Sequence, residues 1–196
     1  GKTVAKTDNM FRTYEFDVKK LLKAGENRIE VKFDSAFQYA EKKQKQRPLP
    51  YWGGGQHKAG CAAWLRKEQC NFGWDWGPML VTCGIWREIY LLGYNQARLT
   101  DLHVLQTHGR KQVSLDISAE IESAVRSKRG ATVTVRHNGK TVASTQATVR
   151  GGKISASVTI KNPKLWWPNG MGDQPLYEVC VDLLDADGGL LDTTSR

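Results

Sequence analysis

The sequence predicts an all-β chain built in two successive units. Short stretches in which apolar and polar residues alternate recur along it, clusters of glycine, asparagine and proline separate them, and the second hundred residues carry no 3.6-residue apolar period. With 196 residues, 40% hydrophobic and 25% charged, the chain is the size of one or two compact domains and has enough apolar side chains for a core. No apolar run approaches the roughly 20 residues that a membrane-spanning helix needs, so no membrane partner is expected.

In the first unit, residues 1–95, Asp17 is placed to cap a single helical turn that Gly25 ends. Residues 28–33 then alternate, with Ile29, Val31 and Phe33 on one face and Arg28, Glu30 and Lys32 on the other, the signature of a half-buried strand. Residues 36–63, rich in Gln and Lys and carrying Pro48, Pro50 and Gly53-Gly54-Gly55, read as a long loop with at most a short helix. From Trp64 onward Trp, Gly and apolar residues become dense, and residues 85–92, apolar on both faces, predict a buried strand.

A boundary falls near residues 93–98. In the second unit, residues 96–196, Val113, Leu115, Ile117, Ala119 and Ile121 alternate with polar residues; so do Ile154, Ala156, Val158 and Ile160, and Tyr177, Val179, Val181 and Leu183. Val133 and Val135 lead into His137-Asn138-Gly139-Lys140, whose Asn-Gly pair supplies the positive φ angles of a two-residue hairpin turn. Several short strands in about 100 residues predict an antiparallel β-sandwich of immunoglobulin-like type.

The formal charge is +9, but it is spread. Residues 1–95 hold 16 basic and 10 acidic side chains, and residues 96–196 hold 13 and 10. The one dense basic run, Lys42, Lys43, Lys45 and Arg47, reads as a solvated loop, since no nucleic-acid-binding motif surrounds it, and no nucleic-acid partner is expected. Cys61, Cys70, Cys83 and Cys180 lack metal-site spacing and read as free, buried thiols. The lone histidines 57, 103, 108 and 137 read as surface residues. The chain opens on Gly1 without Met or a signal-peptide pattern and has no Asn-x-Ser/Thr sequon. The expectation is an excerpt of a longer chain, with the compartment left open and a mild lean toward a bacterial source.

Three stretches together resemble the large glycoside hydrolases of family 2. They are Asn9-Met10-Phe11-Arg12 with Phe16-Asp17-Val18 and Gly25-Glu26-Asn27; Gly84-Ile85-Trp86-Arg87; and Asn162-Pro163-Lys164-Leu165-Trp166-Trp167-Pro168-Asn169-Gly170 with Gln174-Pro175-Leu176-Tyr177. The resemblance covers nearly the whole chain and implies the C-terminal part of a sugar-binding, galactose-binding-like jelly-roll over residues 1–95. An immunoglobulin-like domain would follow over residues 96–196. A jelly-roll has eight strands, and 95 residues hold five or six, so an unpaired edge and exposed apolar surface are expected there.

Within that family, Arg66-Lys67-x-x-Cys70-x-Phe72-Gly73-Trp74-Asp75-Trp76-Gly77-Pro78 is similar to the β-mannosidase branch. The resemblance implies a retaining enzyme that removes terminal β-linked mannose from oligosaccharides, using no metal or organic cofactor. Its two catalytic carboxylates stand about 5–5.5 Å apart in a separate (β/α)8 barrel. No Asn-Glu dipeptide, the family's acid/base signature, occurs in this chain, so no catalytic residue is expected here. Trp74 and Asp75 are the implied substrate contacts, with Trp76 completing the pocket wall or packing inward. Indole faces stack on sugar C–H groups and a carboxylate accepts from hydroxyls. Against that role, Trp in a Gly-rich segment also serves as core, and Asp75 could cap local backbone N–H groups. Arg66 and Lys67 read as ion-pair partners of nearby acids, and Trp166 and Trp167 as core or interdomain packing. Another family 2 branch, such as a β-glucuronidase or an exo-glucosaminidase, and a stand-alone carbohydrate-binding module are the alternatives.

Overall fold

A computed structural model describes residues 2–50 and 60–196. The chain divides into two compact units, residues 1–90 and 91–196.

The second unit is a seven-stranded antiparallel sheet folded over its own core. Its strands are β1 (Ala97–His108), β2 (Gln112–Ser123), β3 (Gly130–His137), β4 (Lys140–Arg150), β5 (Lys153–Lys161), β6 (Tyr177–Leu184) and β7 (Leu190–Ser195), in the order β1-β2-β5-β4-β3-β6-β7. β4 does the folding: its residues 140–147 pair with β3, and Thr148, Val149 and Arg150 pair with β5. One strand thereby serves both layers. The alternation read from the sequence sets the inner face, where Val113, Leu115, Ile117 and Ala119 of β2 and Ile154, Val158 and Ile160 of β5 share a core with Val133, Val135, Val179, Val181 and Leu183 of β3 and β6. The β3–β4 turn has Asn138 at φ 50° and Gly139 at φ 73°, the left-handed pair that matches strand twist. Edge strands β1 and β7 meet where the Leu99 N–H donates to Asp192 Oδ2 at 2.7 Å, which leaves the layer nearly closed.

The first unit is built otherwise. Residues 28–33 enter no ladder among the described residues, where the sequence predicts a strand. The spaced-by-two ion pairs Arg28–Glu30 and Lys32–Asp34, at 3.8 and 3.5 Å, are those of an extended backbone, in which i and i+2 share a face. Ile29, Val31 and Phe33 on the other face are exposed. Residues 85–92, predicted as a buried strand, are likewise unpaired, with Ile85, Trp86, Ile89, Tyr90, Leu91 and Leu92 all exposed. Among the described residues of this unit, two isolated bridges, Asn9 with Arg66 and Trp74 with Gly77, stand where five or six strands are expected. The physical reason is that a strand exists only with a partner: the side-chain pattern is present, but no described segment covers it.

The single turn after Asp17 forms as read, with Asp17 Oδ1 accepting from the Lys19 N–H (2.9 Å) and the Val18 carbonyl accepting from Leu21 (2.8 Å). The supposed loop after it holds a full helix, α1 (Ala36–Gln46), which also places Lys42, Lys43 and Lys45 on a helix, not a loop. Ser35 caps α1 by accepting from Gln38 N–H at 3.3 Å, Glu41 and Lys45 pair at 3.4 Å one turn apart, and Pro48 holds Arg47 outside helical geometry. Two 3₁₀ turns follow, Ala62–Trp64 and Gln69–Phe72. Ala40, Cys61, Ala62 and Phe72 form this unit's small core, flanked by Phe37, Trp64, Leu65 and Val81.

Candidate functional site

The Trp74-Asp75-Trp76 segment is a tight turn. Trp74 N–H donates to the Gly77 carbonyl at 3.1 Å and Gly77 N–H returns to the Trp74 carbonyl at 3.3 Å, so Asp75 and Trp76 occupy the two corner positions. Gly73, at φ 104°, turns the chain into the tip from the second 3₁₀ turn. A Cβ is strained at that angle. Immediately before it, Phe72 is wholly buried in the small core, which fixes the base of the tip.

The two indoles stand 6.3 Å apart, centroid to centroid, inclined at 39°, within the range of interacting aromatic pairs. Their exposures differ, 37% for Trp74 and 72% for Trp76, so Trp76 presents the larger open face and does not pack inward. The exposed Asp75 carboxylate accepts no hydrogen bond and forms no ion pair among the described residues, whereas backbone capping would require one. The tip thus offers two aromatic faces and one unengaged acceptor, a set suited to recognising a polyhydroxylated ring. As the tip's single carboxylate, Asp75 cannot supply the acid/base and nucleophile pair of a double displacement.

Of the neighbouring residues, Arg66 pairs with Asp8 at 3.8 Å, both side chains exposed, and its carbonyl accepts from Met10 N–H at 3.1 Å. This ties residues 9–10 to the tip's approach. Lys67 contributes its carbonyl, which accepts from Gln69 Nε2 at 3.2 Å. Trp166 and Trp167, expected as core or interdomain packing, lie outside the sandwich core and are exposed. They belong to a braced loop between β5 and β6: Trp167 N–H donates to Asp173 O at 2.9 Å, and the Gln174 amide donates to Trp167 O and Gly172 O at 2.9 and 2.7 Å. His137, read as a surface residue without a role, holds the loop's end by sharing a hydrogen bond with Leu176 O at 3.1 Å while stacking on Tyr177 at 4.6 Å. His57 lies outside the described residues. The four thiols are free. Cys61 and Cys180 are buried, and burial pushes both thiols up from the ordinary value. Cys83, expected buried, is exposed, and Cys70 is intermediate.

Comparison with known proteins places these features in context. Residues 1–87 match the family description "Glycosyl hydrolase 2 galactose-binding domain-like", and residues 97–196 match "Glycosyl hydrolases family 2". Beta-mannosidase B of Emericella nidulans is 35% identical over 188 residues, 93% of this chain and 22% of that protein. Beta-mannosidase B of Aspergillus fumigatus is 37% identical over 190 residues, again 22% of its length. The crystal structure of a β-D-mannosidase from Dictyoglomus thermophilum superposes over 100% of this chain and 24% of its own, with 38% identity and a TM-score of 0.87. The chain spans about a fifth of the length of the curated relatives it matches.

Proposed function

The chain belongs to glycosyl hydrolase family 2, and from that premise we propose that it forms the non-catalytic N-terminal portion of a retaining β-mannosidase. The whole enzyme removes terminal β-D-mannose from the non-reducing ends of oligosaccharides. Residues 1–95 form the closing part of its sugar-binding domain, and residues 96–196 its immunoglobulin-like domain. Trp74 and Trp76 wall the sugar site and Asp75 accepts from mannose hydroxyls, while the two catalytic carboxylates belong to a (β/α)8 barrel elsewhere in the enzyme.

The observation that carries this reading is the tip itself: two indoles 6.3 Å apart flanking a carboxylate with no partner of its own among the described residues. Capped, that carboxylate would have spent its capacity locally. The likeness to proteins named as β-mannosidases along nearly the whole chain supports the same substrate. Exposed Trp166 and Trp167 on a braced loop support a docking role toward the barrel, since rigid, apolar anchors lose little entropy on association.

An aryl glycoside panel on the full-length enzyme tests the proposal. Hydrolysis of the β-mannoside well above the β-glucuronide and β-glucosaminide is expected. A preference for glucuronide overturns it, as does millimolar or tighter mannose binding by the isolated chain in calorimetry, the mark of a stand-alone binding module. A partial pocket lacks most of the contacts that burial of a ligand requires.

A further inference from the structure

We infer that Gln44 is a positioning residue for the Trp74-Asp75-Trp76 tip, through the small core on which that tip stands. This rests on the reading of the tip as a sugar-contacting element. Gln44 lies one turn beyond Ala40, the wholly buried residue of α1, and therefore on the same helix face. Its side chain joins three segments at once. Oε1 accepts from Trp64 Nε1–H at 2.8 Å and from Leu49 N–H at 3.1 Å, and Nε2 donates to Leu49 O at 2.9 Å.

The bonds are complementary: one amide satisfies both backbone groups of Leu49 and leaves an oxygen lone pair for the indole. Trp64 in turn packs against the cluster of Ala40, Cys61, Ala62 and Phe72. Phe72 is two residues from Trp74, separated only by Gly73 in its positive-φ conformation. The first 3₁₀ turn is tied to the second as well, with Gln69 Nε2 donating to Ala62 O at 3.4 Å. A displacement of Trp64 therefore shifts the floor under Phe72. No ladder of hydrogen bonds braces this unit among the described residues, so a side-chain clamp carries more of the positioning here than it would in a sheet.

The test uses the full-length enzyme. Gln44→Met removes all three bonds while keeping side-chain length and helix propensity. Gln44→Glu keeps the acceptor that serves Trp64 and Leu49. Gln44→Met is expected to raise KM for an aryl β-mannoside about threefold to tenfold with kcat within about twofold, and to speed amide exchange of residues 72–77 about tenfold. Gln44→Glu, which sets a carboxylate oxygen in place of the donor to Leu49 O, falls between Gln44→Met and wild type in KM. Unchanged KM and unchanged exchange at residues 72–77 in a folded Gln44→Met enzyme overturn the inference. Should Gln44→Met not fold, Trp64→Phe, which removes the indole N–H together with part of the ring's bulk against the core, carries the same test with a rise in KM of about threefold or more, and no change in KM or exchange overturns it. Faster exchange in an enzyme inactive on β-mannosides supports the clamp while overturning the proposed substrate.

Discussion

Residues 28–33 of the first unit and residues 113–119 of β2 carry nearly the same pattern, apolar side chains at every second position, and meet opposite fates. Val113, Leu115, Ile117 and Ala119 are buried, while Ile29 is 77% exposed and Val31 and Phe33 are exposed with it. β2 has β1 on one side and β5 on the other; residues 28–33 have no paired neighbour among the described residues. Alternation states what a strand requires, and a second strand decides whether the requirement is met. The difference between the two units is therefore one of partners, not of propensity.

Separating the units gives the largest effect. Residues 91–196 alone are expected to unfold in one cooperative urea transition, followed by circular dichroism, because their core and edges are internal. Residues 1–90 alone are expected to show no such transition and to bind a hydrophobic dye strongly. A cooperative transition in the smaller piece would break the comparison.

Single substitutions sharpen it. Leu183→Ala in the sandwich core is expected to cost about 2–5 kcal/mol, whereas Ile29→Ala in this chain costs less than about 0.5 kcal/mol, both read from urea midpoints. In the full-length enzyme the Ile29→Ala cost should rise into the core range. Gly139→Ala forces a Cβ onto φ 73° and is expected to cost about 1–2 kcal/mol.

The smallest effect is alkaline. Cys180 sits in β6 and is buried, and its thiol is raised chiefly by desolvation, then by the Glu178 charge. The folded state thus holds its proton longer than the unfolded chain. The stability this contributes is complete below the ordinary thiol value of 9.0 and is lost as pH rises through the higher folded value. Cys180→Val should flatten the alkaline end of the urea-stability profile. Thiol titration of the native chain should find exposed Cys83 reacting fastest and buried Cys61 and Cys180 slowest.

The sandwich was legible because its strands pair with one another, so each alternating stretch and the Asn138-Gly139 turn correspond to an observed element. α1 was less so. Its apolar face is little more than Phe37 and Ala40, too narrow for a periodic signal, and the helix rests on the Ser35 cap and on helix-favouring Gln, Glu and Lys. Residues 85–92 differ from expectation for the opposite reason: their apolar signal is strong, but it reports a preference for cover, which no described segment supplies. At the tip, residue types mark Trp74, Asp75 and Trp76 but leave Trp76 either in the pocket wall or packed inward. Only the turn geometry shows that a corner position gives it the more open face. Gln44 carried no sequence signal, because its partner Trp64 lies 20 residues away and nothing local marks the pair.

The most direct measurement is the kcat/KM of the full-length enzyme for an aryl β-mannoside, with and without Asp75→Asn. Asparagine keeps the size and one acceptor oxygen but removes the charge, and loss of a charge-assisted hydrogen bond to a sugar hydroxyl predicts a fall of about tenfold to a hundredfold. A variant within about twofold of wild type would contradict the assignment of this tip to the substrate.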